Sequence, residues 1–513
     1  MQKLRTSRLI FTVALPLVLL VLMGLGQSEQ EAADNNHLIV ANFAETQTMD
    51  PRAVEDVASH WINNQIYDGL VRRTDDMGVE PALATDWTFV DDRTIEFNLR
   101  QGVLFHNGEE FTAEDVKFTY ETLLDREAGF AGRSRLAMID VDGIEIIDDY
   151  TIRIPTNEPF AAVLTYLAHS SSLIVSKSAV EQFGSEFGAN PVGTGPFQLS
   201  RWDRGTAVHL ERFDDHWRGP AQVERLTFRG IPEGSSRTIE IETGGVHVAQ
   251  MIPETDFNRL RNNNNVRLHE YEAMRLHYVV FNTQSPPFDD VRVRQAISYA
   301  LDIEELATVA YGDAGSPARG YMNSSIWAFN PDVYLYPRNM DRARALLEEA
   351  GYGDGFRMTM TINDDAPRQT ISEIMGSQLR ELGIEIDIEI MEWGAYLQMT
   401  AGARHDMAQL AWLASTGDPH HALHPNFFSG NIGAANRSHT DLPELDELLL
   451  AGVTEPDAAR REQIYRDAQV LLSEFVPIIP IADDREAVAV RAGVTGFVPS
   501  PSGYHMFHEV GLE

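Results

Sequence analysis

Hydrophobic residues in the second half of the chain recur first at a helical period and then at every second position. In residues 384–390 (IEIDIEI), isoleucine alternates strictly with acidic residues, which is typical of a β-strand. The preceding segment ends at Gly383 and carries a helical stripe of Ile371, Ile374, Met375, Gln378, Leu379 and Leu382. A helix that leads directly into a strand is a building unit of α/β folds, so this segment predicts such a fold.

The same two patterns predict elements along the rest of the chain. Alternating or short apolar runs predict strands over 38–41, 94–99, 144–147, 151–154, 407–412 and 478–481. Capping residues predict helices that begin after Thr112, after Asp289 or Asp290, and after Asp457, with a further helix over 341–350. Because strands and helices alternate without a long linker, we expect interleaved domains instead of domains in series.

Residues 192–197 (VGTGPF) interrupt this alternation with two glycines and a proline. Glycine permits backbone torsions that other residues avoid, and proline stiffens the segment that follows. The segment therefore predicts a hinge or tight turn between domains. It lacks the lysine and the spacing of a phosphate-binding loop.

The N-terminus has the layout of a secretory signal. Lys3, Arg5 and Arg8 precede an apolar run over 9–25, and small and polar residues follow it. We expect a signal peptide over 1–26, and the alternative is a single membrane anchor. A lipoprotein would need a cysteine directly after the signal. The chain has none, so we expect a mature protein that is soluble in the periplasm.

Composition narrows the classes of function. The 513 residues are 43% hydrophobic and 23% charged, which is typical of a globular protein. The net charge of −36 argues against nucleic acid and anionic membranes as partners, because both would repel it. The acidic surface fits either a saline habitat or ordinary solubility. Without cysteine, disulfides, thiolate catalysis and cysteine-ligated zinc are excluded.

No motif for catalysis emerges from the sequence. Neither a nucleophile elbow, a metalloprotease helix nor a Walker A sequence occurs. Paired carboxylates are too common in so acidic a chain to mark an acid–base site. We therefore expect no enzymatic activity and no cofactor, although an enzyme of unfamiliar type or a structural envelope protein stays open.

Several segments, taken in order, resemble one family of proteins. They are 67–70 (YDGL), 99–108 (LRQGVLFHNG), 111–116 (FTAEDV), 193–197 (GTGPF), 281–283 (FNT), 287–296 (PFDDVRVRQA) and 341–351 (DRARALLEEAG). Their order and spacing resemble the bacterial extracellular solute-binding proteins that serve ABC importers of dipeptides, oligopeptides, glutathione and nickel. The resemblance extends from about residue 38 to the C-terminus.

This resemblance implies a two-lobed α/β fold of the Venus-flytrap type with an extra inserted α/β domain. Lobe I is expected over 37–69, 196–280 and 481–513, the inserted domain over 70–195, and lobe II over 281–480. The lobes would close over a short peptide or glutathione-like solute, and the closed form would dock on the permease subunits in the inner membrane. The protein is expected to be a monomer, and ATP hydrolysis would belong to a separate partner.

The candidate pocket is the loop that follows the predicted strand 407–412. Loops at strand ends collect binding groups in α/β folds. Trp412 could stack on a solute or pack in the core. Ser415 occupies the position at which peptide-binding relatives carry an aspartate for the peptide amino terminus. Ser415, Thr416 and Asp418 resemble the corresponding stretch of glutathione-importer proteins, and Asp418 could supply the anionic contact or serve as a turn residue before Pro419.

Two residues elsewhere are weaker candidates for solute contacts. Arg368 lies near the position at which peptide-binding relatives place an arginine for a carboxylate, although the register differs by about one residue. Thr46 follows the first strand and could face the cleft. The alternatives are a solvated arginine at a helix start and a plain loop.

Three histidines close to the pocket loop raise a second candidate ligand. His420 and His424 are four residues apart and would share one face of a helix, and Asp418-Pro419-His420 resembles a stretch of nickel-importer proteins. A nickel or metal-chelate solute is therefore an alternative, and so is a non-peptide solute such as an oligosaccharide. The other interpretation is that these histidines belong to a polar loop and bind no ligand.

Overall fold

The computed structural model describes residues 36–54, 56–74, 77–130 and 132–513. The predicted signal peptide over 1–26 lies outside these residues. We keep the names lobe I, inserted domain and lobe II for the ranges defined above. No helix within the described ranges is both long enough and apolar enough to cross a bilayer.

Nineteen strands make up the sheets of the described chain, and eleven of them form one large mixed sheet. Its strand order is β15-β14-β16-β12-β17-β11-β1-β10-β9-β8, with β13 also paired to β17. Its strands are β1 (His37–Asn42), β8 (Phe197–Asp203), β9 (Ala207–Arg212), β10 (Arg225–Gly230), β11 (Val248–Ala249), β12 (Val266–Phe281), β13 (Gly315–Pro317), β14 (Arg357–Asn363), β15 (Glu385–Met391), β16 (Met407–Leu413) and β17 (Ile478–Arg491).

The smaller sheets are local. Strands β4, β5, β7 and β6 form a four-stranded antiparallel sheet in the inserted domain, and the pairs β2–β3 and β18–β19 are separate. These strands are β2 (Val71–Arg73), β3 (Val79–Pro81), β4 (Ala84–Phe89), β5 (Thr94–Leu99), β6 (Glu145–Asp148), β7 (Thr151–Pro155), β18 (Val494–Thr495) and β19 (Gly511–Leu512).

Fifteen α-helices within the described residues cover the sheets. They are α1 (Val57–Ile66), α2 (Ala113–Leu124), α3 (Arg133–Leu136), α4 (Val163–Leu167), α5 (Lys177–Phe183), α6 (Gly234–Thr243), α7 (Phe257–Arg261), α8 (Val291–Ala300), α9 (Ile303–Tyr311), α10 (Met340–Ala350), α11 (Ala366–Leu379), α12 (Trp393–Ala401), α13 (Pro419–Phe427), α14 (Pro443–Thr454) and α15 (Ala458–Phe475). The protein thus has a mixed α/β fold.

The predicted capping residues mark the ends of the helices that the structure has. Asp290 and Asp457 accept backbone hydrogen bonds from Arg292 and Arg460 and so cap α8 and α15. Gly351 adopts the left-handed conformation that ends α10. The predicted strand over 94–99 is β5, and the predicted strands over 144–147 and 151–154 are β6 and β7, which pair as an antiparallel hairpin.

Buried side chains form several hydrophobic cores along the described chain. One core lies under the inserted-domain sheet and includes Phe97, Phe111 and Tyr120. The lobe I cores surround β1 and β10, and the lobe II cores surround β14 and β16. The core around β1 also includes Leu173, Val175, Ala179 and Phe187 of the 70–195 range, so lobe I and the inserted domain share buried apolar surface.

Two long strands, β12 and β17, run side by side through the middle of the large sheet. Their antiparallel pairing breaks between Glu272 and Leu276 and again between His277 and Tyr278. The second break lies opposite Pro480, which has no N–H to donate to a ladder. The short strand predicted over 478–481 is therefore only the start of β17, because a bulge lets the ladder continue past the proline.

The glycines of the 192–197 segment serve close packing of the backbone. The amide of Gly195 donates a hydrogen bond of 2.9 Å to the Ile66 carbonyl, where the chain leaves α1. A side chain at Gly193 would meet that carbonyl oxygen at 2.1 Å. Neither glycine has a positive φ. Both glycines therefore let the 192–197 segment pack directly against the backbone at the end of α1, and a hinge or tight turn between domains stays a prediction.

Candidate functional site

A cavity of about 450 Å³ lies where the three chain ranges meet. Lobe I contributes Asp68, Arg218 and Tyr504 to its lining, the inserted domain contributes Arg72, Arg73 and His169, and lobe II contributes Ser415. Ligand pockets commonly fall between about 300 and 1,000 Å³ and occur at domain interfaces. Its size and position make this cavity the candidate solute site.

Most charged groups around the cavity already have partners. Arg72 pairs with Glu80 at 2.5 Å and Arg218 with Glu509 at 3.2 Å. Asp68 accepts hydrogen bonds from Thr194 at 2.9 Å and from Trp217 at 3.0 Å. Burial alone would raise the pKa of Asp68, but contacts with His216, Trp217 and Thr194 hold it below its usual value. Asp68 is therefore ionised, and its hydrogen bonds to Thr194 and Trp217 hold together this side of the cavity lining.

Ser415 stands at the point where lobe II reaches the inserted domain. Its hydroxyl accepts a hydrogen bond from Nη1 of Arg135 at 3.4 Å and lies 3.5 Å from Nε2 of His169. Ser415 is 4% exposed. Of the residues predicted to contact solute, it is the one that lines the main cavity of the described chain.

Aromatic and imidazole rings surround Ser415 from all three ranges. His60 of lobe I packs edge-on against His169 and Tyr504 with ring centroids 5.6 Å apart in both cases. Tyr166 of the inserted domain donates or accepts a hydrogen bond of 3.0 Å with Nδ1 of His420 in lobe II. Edge-to-face packing of this kind holds the ranges together through ring contacts.

These buried histidines are neutral at neutral pH. Burial, followed by the positive charge of Arg135, lowers the pKa of His60 to about 3. Burial, followed by Arg135 and Arg73, lowers the pKa of His421 to about 3. The pKa of His169 lies well below its ordinary value for the same two reasons, burial and Arg135. Neutral rings near arginines limit like-charge repulsion where the ranges meet.

Because of these shifts, the free energy of unfolding should fall as the pH drops below about 6.5. The unfolded chain takes up protons there that the folded chain refuses, and each such histidine removes up to about 1.4 kcal/mol per pH unit. The stabilisation is complete above the unfolded pKa and declines towards the folded value. We expect His60→Phe to reduce this pH dependence by about one proton, measured by urea unfolding between pH 7 and 4.5. Identical slopes for the variant and the wild type would contradict the assignment.

Asp418 is the N-cap of α13 and the partner of a buried arginine. Its two carboxylate oxygens accept hydrogen bonds of 2.7 and 2.8 Å from Arg461, and one of them also accepts from the His420 amide at 2.9 Å. Asp418 is 0% exposed. Burial would lower the pKa of Arg461, but Asp418 raises it above the ordinary value. The carboxylate predicted to bind solute is thus engaged within lobe II.

Trp412 and Thr416 form hydrogen bonds within the loop that contains Ser415 and Asp418. The indole N–H of Trp412 donates a hydrogen bond of 2.6 Å to the His421 carbonyl, and its ring packs edge-on against the His421 ring. The Thr416 hydroxyl accepts from the Asp418 amide at 3.3 Å, and Thr416 is fully buried. Both residues shape the loop that presents Ser415, and direct solute contacts by them stay predictions.

Arg368 and Thr46 lie apart from the main cavity lining. Arg368 stands near the start of α11, hydrogen-bonds Asn363, and places its guanidinium 5.7 Å from the centre of the exposed Trp393 ring. Thr46 is 5% exposed and borders a small crevice in lobe I with Trp202 and Phe228. Solute contacts by either residue stay predictions.

His420 and His424 do share one face of α13, as their spacing predicts. Their rings stack with centroids 4.7 Å apart and a tilt of 29°, and Nδ1 of His420 is occupied by Tyr166. Stacked rings direct their nitrogens sideways and do not converge on a point between them. Within the described ranges, no cluster of three or more metal-binding side chains occurs.

Sequence reasoning missed Arg135, His169 and Tyr504. Arg135 lies on α3, a four-residue helix without a periodic pattern, and Tyr504 lies in a C-terminal loop. Neither carries a motif, and the contacts that join Arg135 to Ser415 and Tyr504 to His60 span more than 200 residues of sequence.

The fold and this three-way cavity define a solute-binding protein. Residues 78–434 match the model of the bacterial extracellular solute-binding proteins, family 5 (middle region), and the chain belongs to this family. The predicted family, fold class and transport function are therefore confirmed. The family consists of substrate-binding proteins.

Relatives cover nearly the whole chain. Heme-binding protein A of Haemophilus influenzae is 28% identical over 95% of this chain and 94% of its own length. Glutathione-binding protein GsiB of Salmonella paratyphi A is 30% identical over 93% of this chain and 94% of its own length. The ABC transporter-associated periplasmic binding protein DppA of Helicobacter pylori, solved with the peptide STSA, is 28% identical with a TM-score of 0.78 over 94% of this chain and 99% of its own.

Proposed function

We propose that the chain is the periplasmic component of an ABC importer that binds a short peptide or a glutathione-like solute. The cavity between the three ranges carries this proposal, because its 450 Å³ suits a molecule of a few residues. Its polar wall, with Ser170, Ser500 and Ser502 among the lining residues, suits a ligand rich in amide and carboxylate groups. The names of the relatives support the same class of solute.

The mechanism follows from the way the lobes are joined. The paired strands β12 and β17 connect lobe I to lobe II, and the breaks in their pairing lie a few residues before position 281, where lobe II is expected to begin. A hinge there would open the cavity, since Ser415 belongs to lobe II and most of the lining to the other ranges. Solute that binds the closed form better than the open form shifts the equilibrium, and the closed form is delivered to the permease.

We propose further that the protein acts as a monomer without catalytic activity. The secretory signal expected over 1–26 would direct it to the periplasm, where it meets the permease subunits. The contacts around the cavity are hydrogen bonds, ion pairs and ring packing, which suit capture and release of an unchanged solute. The nickel alternative is not favoured, because His420 is hydrogen-bonded to Tyr166 and stacks on His424.

A panel of solutes tests the proposal by thermal unfolding of the protein without residues 1–26. The panel contains dipeptides, tripeptides, reduced and oxidised glutathione, an oligosaccharide, and Ni²⁺ with and without histidine. A ligand at 100 times its dissociation constant should stabilise the protein by about 2.7 kcal/mol. We expect this stabilisation with peptides or glutathione. A response to nickel or the oligosaccharide alone would overturn the proposed solute class.

A matched pair of variants places the binding in the cavity. Ser415→Trp puts a large ring into the cavity wall and should abolish the ligand-induced stabilisation. Ser377→Trp changes an exposed residue on α11 and should leave it intact. Equal ligand responses in the two variants would place the solute elsewhere.

A further inference from the structure

Arg135 is a cation at the junction of all three ranges whose side chain has no carboxylate partner among the described residues. Its one side-chain hydrogen bond there is the contact of 3.4 Å with the Ser415 hydroxyl. A guanidinium has five N–H donors in a rigid fork, so most of them are unused. The side chain is only partly exposed, where an unpaired charge is costly unless a partner arrives.

The other arginines near the cavity differ from Arg135 in this respect. Three of them form ion pairs: Arg72 with Glu80, Arg218 with Glu509, and Arg461 with Asp418. Arg73 instead donates hydrogen bonds to the carbonyls of Met77 and Thr165. Asp418 therefore cannot compensate Arg135 without leaving Arg461. In a chain with a net charge of −36, an uncompensated cation at the domain junction is a local exception.

The groups that face Arg135 are neutral. Its charge acts on the histidines His60, His169 and His421 and on the tyrosines Tyr166 and Tyr504, which belong to all three ranges. It contributes to the lowered pKa of each histidine, so these rings stay uncharged beside it. The junction thus holds Arg135 among hydrogen-bonding rings, and it differs from Arg73, the other arginine there without a carboxylate partner, in that the donors of Arg73 are taken up by carbonyls.

We infer that Arg135 determines the specificity of the cavity by binding a carboxylate of the solute, with Ser415 as a second donor. Ser415 lines the cavity and accepts a hydrogen bond from Arg135, which stands directly behind it, so a carboxylate that hydrogen-bonds the Ser415 hydroxyl comes close to the guanidinium. Arginine forms paired, charge-assisted hydrogen bonds with planar carboxylates. A bound carboxylate would supply the missing charge and would contact the inserted domain and lobe II together, which favours the closed form.

This inference rests on the proposed function and is tested with defined probes. The probes are reduced glutathione and its diethyl ester, and trialanine and its C-terminal amide, measured by titration calorimetry. For wild type we expect the free acids to bind about 10- to 100-fold more tightly than the masked forms, the range expected for a charge-assisted hydrogen bond. Arg135→Ala should weaken the acids to the level of the masked forms, and Arg135→Lys should restore part of the difference.

The control is Arg133→Ala, which removes an arginine of the same helix that hydrogen-bonds the Leu124 carbonyl. It should keep the preference for free acids, and the thermal unfolding midpoint of every variant shows that it is folded. Equal binding of acid and masked forms by wild type would overturn the inference and leave the proposed function intact. Absence of binding to all four probes would instead count against the proposed solute class, and with it the inference.

Discussion

Replacing Asp418 with alanine should lower the free energy of unfolding by about 3–5 kcal/mol. The change leaves Arg461 buried, 6% exposed, with no anion to balance its charge. Removal of one partner of a buried ion pair costs this much because the remaining charge is uncompensated. The N-cap hydrogen bond to the His420 amide is lost as well. Urea unfolding followed by circular dichroism measures the change.

A double-mutant cycle separates the ion pair from other effects of the substitution. Asp418→Ala with Arg461→Ala should cost less than the sum of the single changes, because no charge is then left unpaired. Glu385→Ala is the matched control, since it removes an exposed partner of Arg357 and should change stability by at most about 1 kcal/mol. Additive single changes, or a loss as small as that of the control, would show that the pair is not coupled.

Gly195→Ala should destabilise the protein by about 3 kcal/mol, the upper end of the cost of overpacking. A Cβ at this position would lie 2.5 Å from the Ile66 carbonyl carbon and 2.7 Å from the Gln65 and Ile66 carbonyl oxygens. Backbone atoms cannot turn away as a side chain can, so α1 or the 192–197 segment must shift. The midpoint of thermal unfolding measures the effect.

Gly376→Ala should have the opposite effect on stability, because this glycine is not in close contact with backbone atoms of another segment. Gly376 lies inside α11, and the nearest atom to an added Cβ is Ile386 Cβ at 3.8 Å. Alanine there should stabilise the protein by about 0.5–1 kcal/mol, because it restricts the unfolded chain and favours a helix. If Gly195→Ala left stability unchanged or raised it, as expected for Gly376→Ala, close backbone contact would not be the role of Gly195.

The elements of this protein are largely determined by local sequence. The alternating residues 384–390, the caps Asp290 and Asp457 and the stop at Gly351 each specify their element from a few neighbours, and the structure has those elements. The ordered family segments extended this to the fold class. The bounds of the lobes stay predictions of the resemblance.

Long-range packing decides two features that the local patterns leave incomplete. The glycines of 192–197 look like hinge residues in isolation, but they are required by the backbone of residues 65–66. The predicted short strand at 478–481 extends to Arg491, because β12 offers it a partner that no local pattern reveals.

The candidate site divides in the same way. The sequence by itself located the loop that holds Ser415, because a strand end with small residues is a local signal. Only the tertiary structure decided that Asp418 is occupied by Arg461, 43 residues further on, and that Arg135 contacts Ser415 across 280 residues. The electrostatic potential that a solute meets depends on all charged groups that lie near it in space. Many of these groups are far apart in sequence, so a local sequence pattern does not reveal it.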